Sequence, residues 1–370
     1  MAEIEIGLGK SGRRGYGWDE LAIVPSRRTR DPQDVDVSWQ IDAYTFDLPV
    51  MASPLDSVSS PATCVELGRL GGVGVLNLEG LWTRYDDPVP VLERLAEAGD
   101  DEWAGALRTA YTEPVKPELI GARIAELRAA GVVSCAALTP QRTAEYAEEI
   151  LKAELDLFVI HGSVVSAEHV SRSVEPLNLK RFVRELEVPV IVGGCASYQA
   201  ALHLMRTGAA GVLVGVGASG ADRVGEVLGV GVPPATAVAD ARAARMRHLD
   251  ETGVYVHVIA DGGMMTGGDV ARAIVCGADA VALGAPLAGA AEAPGRGWTW
   301  SMTAAHPTLP KGGRVAAPPL GSLEEVLVGP ARDAVGRTNL IGALRAAMGL
   351  CGYESLKDFQ KAELTAFSRP

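Results

Sequence analysis

The stretch that decides the fold reads VHVIADGGMMTGGD from Val256 to Asp269 and resumes, after a helical interval, as GADAVALGAP from Gly277 to Pro286. Each apolar run ends in glycine, and the first run also ends in the carboxylate of Asp261. Because glycine has no Cβ, its backbone N–H group can approach a phosphate closely. A carboxylate at the same edge can accept hydrogen bonds from both hydroxyls of a ribose. The pattern predicts two neighbouring strands that hold a sugar phosphate at their carboxyl ends.

Similar apolar runs recur along the chain, each followed by glycine or polar residues and then by a helical pattern. Unbroken Val, Ile and Leu runs are typical of strands buried on both faces of a parallel sheet. Eight such alternations predict a (β/α)8 TIM barrel, an α/β fold, with a doubly wound open sheet as the alternative. The runs lie at 48–53, 72–77, 134–138, 156–161, 189–194, 211–215, 257–261 and 280–284, and helical patterns between them include 145–153, 200–207 and 269–276.

Two long segments interrupt the alternation of predicted strands and helices. Residues 78–133 form an excursion between the second and third predicted strands, with a helical pattern over 118–130. Residues 294–329, after the eighth strand, are rich in Pro, Gly and Ala and resemble a flap, with a terminal helix predicted over 339–348. A segment of this kind commonly forms a lid or an oligomer contact. We predict a single domain over residues 1–370.

The composition excludes several classes of partner. The chain has 34 basic and 46 acidic residues, a net charge of −12, which argues against nucleic acid and anionic membranes as partners. The five cysteines are odd in number and lack CxxC spacing, which fits a reducing compartment and neither a disulfide framework nor a zinc site. The N-terminus lacks a signal-peptide pattern, and no apolar run approaches the roughly 18 residues of a membrane span. We expect a cytoplasmic protein without a bound metal.

An ordered set of segments resembles the IMP dehydrogenase/GMP reductase family. Single glycine motifs are shared with other phosphate-binding barrels, such as flavin enzymes, but the order of the whole set is specific. The resemblance runs from about 17 to 358 except for roughly 86–130, where long-chain members carry a regulatory CBS pair that this chain does not have. The matching segments are 17–25, 52–58, 66–77, 206–217, 229–233, the Asp261 turn, Gly284 and 340–349.

The resemblance implies a barrel that binds a purine mononucleotide such as IMP, XMP or GMP. Asp261 would hold the ribose hydroxyls. It also implies an NAD(P) cofactor, a monovalent cation and a homotetramer. The phosphate and its surroundings would be held by Gly262, Gly263, Gly284, Ala285, Gly217 and Ser219.

The catalytic loop departs from the family. The family's chemistry needs a cysteine thiolate that attacks C2 of the purine before a hydride passes to or from the nicotinamide. In an alignment without gaps from Val214 to Pro233, Asp222 stands at the cysteine position. A carboxylate is a poor nucleophile towards that carbon. Arg223 and Val224 replace the usual threonines, which also argues against the monovalent cation.

Three further positions differ from the family pattern. His161 stands where an aspartate usually meets the nicotinamide amide, and Gly194 stands where an asparagine usually follows Gly193. The flap-like segment has no adjacent Arg-Tyr pair to activate water; the pair Arg84–Tyr85 follows the second strand instead. These departures argue against NAD(P)-dependent oxidation of IMP and against reduction of GMP.

Other side chains could substitute for the missing groups. Cys195, after the fifth strand, is a candidate nucleophile or a small buried hydrophobic residue. His161 is a candidate acid or base or a structural histidine. Asp222 and Glu226 could instead form a solvated loop face.

Three functions therefore remain open at the level of the sequence, and one of them is that of an unrelated phosphate-binding barrel such as a flavin enzyme. The other two lie within the family. The first is a nucleotide-binding homologue that regulates, or assembles with, an active IMP dehydrogenase. The second is a divergent NAD(P)-dependent oxidoreductase that acts on IMP or GMP with another nucleophile. An apolar content of 48%, together with Trp298 and Trp300 outside the barrel, predicts a homo-oligomer, a tetramer by resemblance.

Overall fold

The computed structural model describes residues 3–172, 176–218, 221, 223–301 and 313–367. Eight strands form one parallel sheet. Seven lie within predicted apolar runs, and the fifth extends one residue beyond its run, to Cys195. Their bounds are β1 Val50–Ala52, β2 Leu76–Asn77, β3 Cys135–Leu138, β4 Leu157–His161, β5 Val190–Cys195, β6 Gly211–Val214, β7 His257–Asp261 and β8 Ala280–Leu283.

The sheet closes on itself. Its strands pair in the order β1-β8-β7-β6-β5-β4-β3-β2. Val73, just before β2, donates a backbone hydrogen bond to Val50 of β1 at 3.0 Å and accepts one from Ala52 at 2.9 Å. This bridge joins the two ends of the sheet, so the predicted (β/α)8 barrel is confirmed and the open-sheet alternative is wrong.

Fifteen α-helices lie within the described residues, and they include every helix that the sequence predicted. Their ends differ by one or two residues because capping side chains fix them: Ser197 accepts from the backbone N–H of Ala200, and Thr266 accepts from Asp269. The helices are α1 Pro61–Arg69, α2 Val89–Glu97, α3 Asp100–Ala110, α4 Pro117–Ala129, α5 Pro140–Thr143, α6 Ala147–Lys152, α7 Leu179–Glu185, α8 Tyr198–Met205, α9 Val224–Leu228, α10 Pro234–Thr252, α11 Gly267–Cys276, α12 Ala285–Ala288, α13 Leu323–Leu327, α14 Leu340–Leu350 and α15 Leu356–Phe359.

Short antiparallel strands form two-stranded sheets separate from the barrel sheet. They pair as Glu3–Gly7 with Lys10–Arg13, Leu21–Ile23 with Leu364–Ala366, Trp39–Ile41 with Tyr44–Phe46, and Trp298–Thr299 with Val315–Ala316. Within the described ranges, no helix is long and apolar enough to span a membrane.

A second hydrophobic cluster joins the excursion to the flap-like segment. Trp300 is only 2% exposed and meets Trp103 of α3 edge to face, with ring centroids 6.3 Å apart. The guanidinium of Arg314 lies 3.9 Å from the ring centroid of Trp298 and donates to Asp100 at 2.8 Å. Trp300 therefore needs no oligomer contact for its burial, because the excursion of the same chain covers it. Trp298 is only partly buried, and the homo-oligomer stays a prediction.

A buried polar junction lies beside this cluster. Asp56, which follows β1 and is 1% exposed, accepts hydrogen bonds from the Tyr111 hydroxyl, the Leu81 backbone at 3.0 Å and Asn77 at 3.5 Å. Trp300 donates from Nε1 to the Tyr111 hydroxyl at 3.3 Å. Burial raises the pKa of Asp56 to about 6, although the hydrogen bonds from Tyr111 and Leu81 act in the opposite direction. The barrel, the excursion and the flap-like segment thus meet at one carboxyl group.

Candidate functional site

A cavity of about 390 Å³ opens at the carboxyl edge of the barrel. Residues at the ends of β4 and β7, or shortly after β1, β3, β6 and β8, line it, and residues of the flap-like segment wall one side. The strand-end group comprises Ser53, Leu55, Thr139, His161, Gly217, Asp261 and Gly284, and the wall comprises Val315, Ala316, Ala317, Pro318 and Leu320. The barrel therefore gathers short loops from six strands around one space.

The predicted binding residues come together in this cavity. Its lining includes every predicted binding residue that the structure describes, namely Asp261, Gly262, Gly263, Gly284, Ala285 and Gly217. Ser219 lies outside the described residues. In the β7–β8 ladder Asp261 is paired with Ala282, which places its carboxylate next to the loop that carries Gly284 and Ala285.

Asp261 faces His161 across the mouth of the barrel. His161 Nε2 lies 3.4 Å from Asp261 Oδ2, at the long end of the range for a hydrogen bond, and the side chains are 16% and 19% exposed. Among the described residues, no other group forms a hydrogen bond with the Asp261 carboxylate. One carboxylate oxygen thus remains for a hydroxyl group of a ligand.

The glycines keep the cavity open. Gly263 has φ +76°, and a Cβ there would lie 3.2 Å from the carbonyl oxygen of Ala218 and 3.3 Å from Nε1 of Trp18. A larger residue at 263 would therefore be strained in its backbone and crowded by neighbours. At Gly284 a Cβ would meet Leu55 Cδ1 at 3.3 Å, so a longer side chain would project into the cavity. The glycine positions in the loops after β7 and β8 consequently leave their backbone uncovered by a side chain where they line the cavity.

None of the five cysteines lines the cavity, and all five are buried. Cys195 is 2% exposed, and its Sγ–H donates to the carbonyl oxygen of Leu213 at 3.5 Å. Burial raises the pKa of Cys195 to about 12, so its nucleophilic thiolate form is not available near neutral pH. The structure thus places Cys195 in the core and not at the position of a nucleophile.

The loop after β6 is described in part. Asp222 lies outside the described residues, whereas Ala221 lines the cavity. Arg223 Nε lies 3.5 Å from Glu226, and both side chains are more than half exposed. Glu226 therefore lies on a solvated face, which matches the simpler of the two interpretations of that residue.

Two of the positions that depart from the family pattern, His161 and Gly194, lie at the carboxyl ends of β4 and β5. A Cβ on Gly194 would lie 2.6 Å from the carbonyl oxygen of Gly215 and 3.2 Å from that of Ser163, so backbone occupies the space an asparagine would need. His161 directs Nε2 at Asp261, and its buried Nδ1 has no partner among the described residues. Nε2 is thus paired with Asp261, whereas Nδ1 is buried away from solvent.

The Arg84–Tyr85 pair supports the excursion and not the cavity. Arg84 is 9% exposed and donates to the carbonyl oxygens of Glu79 at 2.9 Å and Tyr111 at 3.1 Å. The Tyr85 hydroxyl donates to the carbonyl oxygen of Ala110 at 2.9 Å. Both side chains tie α3 to the turn after β2 and do not activate water in the cavity.

Some lining residues were not singled out from the sequence. Ser53 ends one predicted strand and Thr139 directly follows another, so their places at the strand ends could have identified them. Arg337 also lines the cavity. It precedes α14, far from any strand end, and the sequence carries no signal for it. Across the described ranges, no group of three or more His, Cys, Asp or Glu side chains is placed to hold a metal ion.

Comparison with known proteins agrees with this geometry. A profile of the IMP dehydrogenase / GMP reductase domain matches residues 15–305. An uncharacterized oxidoreductase of Mycolicibacterium smegmatis is 50% identical over 374 residues, which cover 99% of this chain and 100% of that protein. The inosine-5′-monophosphate dehydrogenase of Methanocaldococcus jannaschii is 25% identical, with 94% of this chain and 92% of that protein covered.

A solved structure is also similar. The crystal structure of an IMP dehydrogenase/GMP reductase-like protein from Corynebacterium glutamicum superposes with a TM-score of 0.92 at 45% identity and covers 98% of this chain and 97% of that one. The fold and the cavity define a (β/α)8 barrel with a small-molecule-sized space at the carboxyl ends of its strands. The chain belongs to the IMP dehydrogenase/GMP reductase family of oxidoreductases.

Proposed function

We propose that this protein binds a purine mononucleotide, IMP, XMP or GMP, in the barrel cavity and does not carry out cysteine-dependent dehydrogenation or reduction. One observation carries the proposal. Asp261 and the glycine loops after β7 and β8 share a cavity of about 390 Å³ that no cysteine lines.

The binding half of the proposal follows from the chemistry of the lining. The Asp261 carboxylate can accept hydrogen bonds from the ribose hydroxyls. The backbones of Gly262, Gly263, Gly284 and Ala285 can donate to the phosphate. Apolar lining residues such as Leu55, Val315 and Leu320 give the base a dry surface, as expected for a small-molecule pocket with few polar groups.

The second half of the proposal, the lack of cysteine-dependent catalysis, follows from the groups that a covalent mechanism requires. Attack on purine C2 requires a nucleophile in reach of the bound base, and burial raises the pKa of every cysteine in this chain. His161 lines the cavity as a possible proton carrier, but an imidazole beside Asp261 does not replace a thiolate. We propose that the protein acts as a nucleotide-binding homo-oligomer, a tetramer, that regulates or assembles with an active relative.

Two measurements test this function. Calorimetry should detect binding of IMP, XMP or GMP to the wild type, and Gly284→Val should abolish it because the valine side chain enters the cavity. Gly121→Val on α4 is the matched control, since a Cβ there has no neighbour within 4 Å. Absence of binding by all three nucleotides would refute the binding half.

Turnover is measured separately, by NADH formation from IMP with NAD and by NADPH consumption with GMP. We expect neither. Robust turnover would refute the catalytic half and favour the alternative, a divergent NAD(P)-dependent oxidoreductase.

A further inference from the structure

One cationic side chain of the cavity has no role in the function proposed above. Arg337 lies in the loop between α13 and α14 and lines the cavity beside the turn that follows β7. Among the described lining residues it is the one arginine or lysine. The strand-end residues otherwise supply a carboxylate, an imidazole, hydroxyls and backbone groups.

The loop fixes Arg337 at both its backbone and its side chain. Asp333 Oδ1 accepts from the backbone N–H groups of Gly336 at 3.0 Å and Arg337 at 3.1 Å, and Oδ2 accepts from Arg337 Nε at 3.0 Å. The carbonyl oxygen of Gly336 accepts from the backbone N–H of Gly267, the first residue of α11. Arg337 is therefore tied to the same helix that the β7 loop leads into.

This arrangement leaves part of the guanidinium uncommitted. Within the ranges that the structure describes, no acceptor lies within hydrogen-bond distance of Arg337 Nη1 or Nη2, and the side chain is 37% exposed. A guanidinium has five N–H donors, of which Asp333 uses the one on Nε. The two amino groups present the fork that matches two oxygens of a phosphate.

The electrostatics of the cavity favour a cationic side chain beside a bound phosphate. Asp261 places a negative charge at the same cavity, so a phosphate dianion that binds there experiences repulsion. Backbone amides contribute only partial charges to offset it. The Nη groups of Arg337 supply charged donors on the cavity wall, although Asp333 at Nε offsets part of the positive charge.

We infer that Arg337 binds the 5′-phosphate of the nucleotide and thereby makes the site selective for nucleotides over nucleosides. The inference rests on the proposed function, because it takes the ligand to be a purine mononucleotide. It adds a side chain, from outside the barrel, to a phosphate site otherwise made of backbone.

The test compares GMP with guanosine. Affinities of both ligands are measured by calorimetry for the wild type, Arg337→Gln and Arg337→Lys. Loss of a charge-assisted hydrogen bond corresponds to roughly 10- to 100-fold weaker binding. Arg337→Gln should lose about this factor for GMP and almost nothing for guanosine, and Arg337→Lys should lose less.

Arg332→Gln is the matched control. Arg332 lies in the same loop, pairs with Glu325 and does not line the cavity, so its replacement should leave both affinities unchanged. The salt dependence of GMP binding should weaken in Arg337→Gln and not in Arg332→Gln.

Two outcomes would overturn the inference while the proposed function stands. If Arg337→Gln binds GMP as the wild type does, Arg337 does not contact the phosphate. If GMP and guanosine lose affinity equally, Arg337 contacts another part of the ligand or supports the loop. A wild type that binds neither ligand would instead refute the proposed function, and the inference with it.

Discussion

The buried carboxyl group of Asp56 makes the stability of this protein depend on pH. Burial raises its pKa from an ordinary 3.8 to about 6 in the folded chain. Between these values the folded protein holds a proton that the unfolded chain has released, so the free energy of unfolding falls as the pH rises and levels off above about 6. Because each tenfold change in proton affinity is worth about 1.4 kcal/mol, the whole fall amounts to about 3 kcal/mol.

Asp56→Asn should remove this dependence. An asparagine at 56 keeps a carbonyl oxygen that can accept from the Leu81 backbone and the Tyr111 hydroxyl, but it carries no charge at any pH. We expect the variant and the wild type to be similarly stable near pH 4. At pH 7 the variant should be more stable by about 3 kcal/mol, because it avoids the cost of a buried charge.

Urea unfolding between pH 4 and 7.5, followed by tryptophan fluorescence, measures the difference. Trp300 lies in the same hydrogen-bond network and reports on it. Asp250→Asn, an exposed position on α10, controls for the loss of a carboxylate as such. A difference curve between Asp56→Asn and wild type that stays flat from pH 4 to 7, or a variant that is less stable at pH 7, would refute the reasoning.

Other predictions concern ligand and chemistry. Asp261→Ala should weaken IMP binding by about 1.5–3 kcal/mol, the range for hydrogen bonds to a charged group, as measured by calorimetry. Cys195→Ala should leave IMP affinity unchanged, and iodoacetamide should label Cys195 in the folded protein far more slowly than in urea. Asp222→Cys alone should not restore NADH formation from IMP, because backbone still fills the space beside Gly194; XMP production by this variant at a rate typical of an active enzyme would contradict that. Light scattering should give the mass of a tetramer, and a monomer at micromolar concentration would count against it.

The barrel could be predicted from the sequence because its strands are coded locally. Unbroken apolar runs such as the one that contains Val258 and Ile259 give strands buried on both faces, and both residues are fully buried. The shared position of Asp261 and Gly284 at one cavity could be predicted in the same way, since these residues lie at the ends of adjacent strands. Arg337 could not be predicted, because its approach to the cavity depends on contacts between a surface loop and α11 rather than on a periodic pattern.

The burial of Asp56 could not be predicted from the sequence, for a different reason. The residue belongs to a segment that matched the family, but its burial depends on Tyr111 and Trp300, which come from two segments without regular strand–helix rhythm. Packing between such segments produces no hydrophobic periodicity in the sequence of either one. The burial of Trp300 within its own chain could not be predicted for the same reason.

The attachment of the flap-like segment to the excursion has a consequence for how the protein folds. The Trp300–Tyr111 and Arg314–Asp100 contacts join residues that are 189 and 214 positions apart along the chain. Such distant partners meet only at a large entropic cost unless the intervening chain is already compact. We therefore expect the barrel strands to assemble first and the wall formed by Val315–Leu320 to settle last. A newly synthesised chain would then lack a complete cavity until its final quarter had emerged and this wall had packed against the barrel.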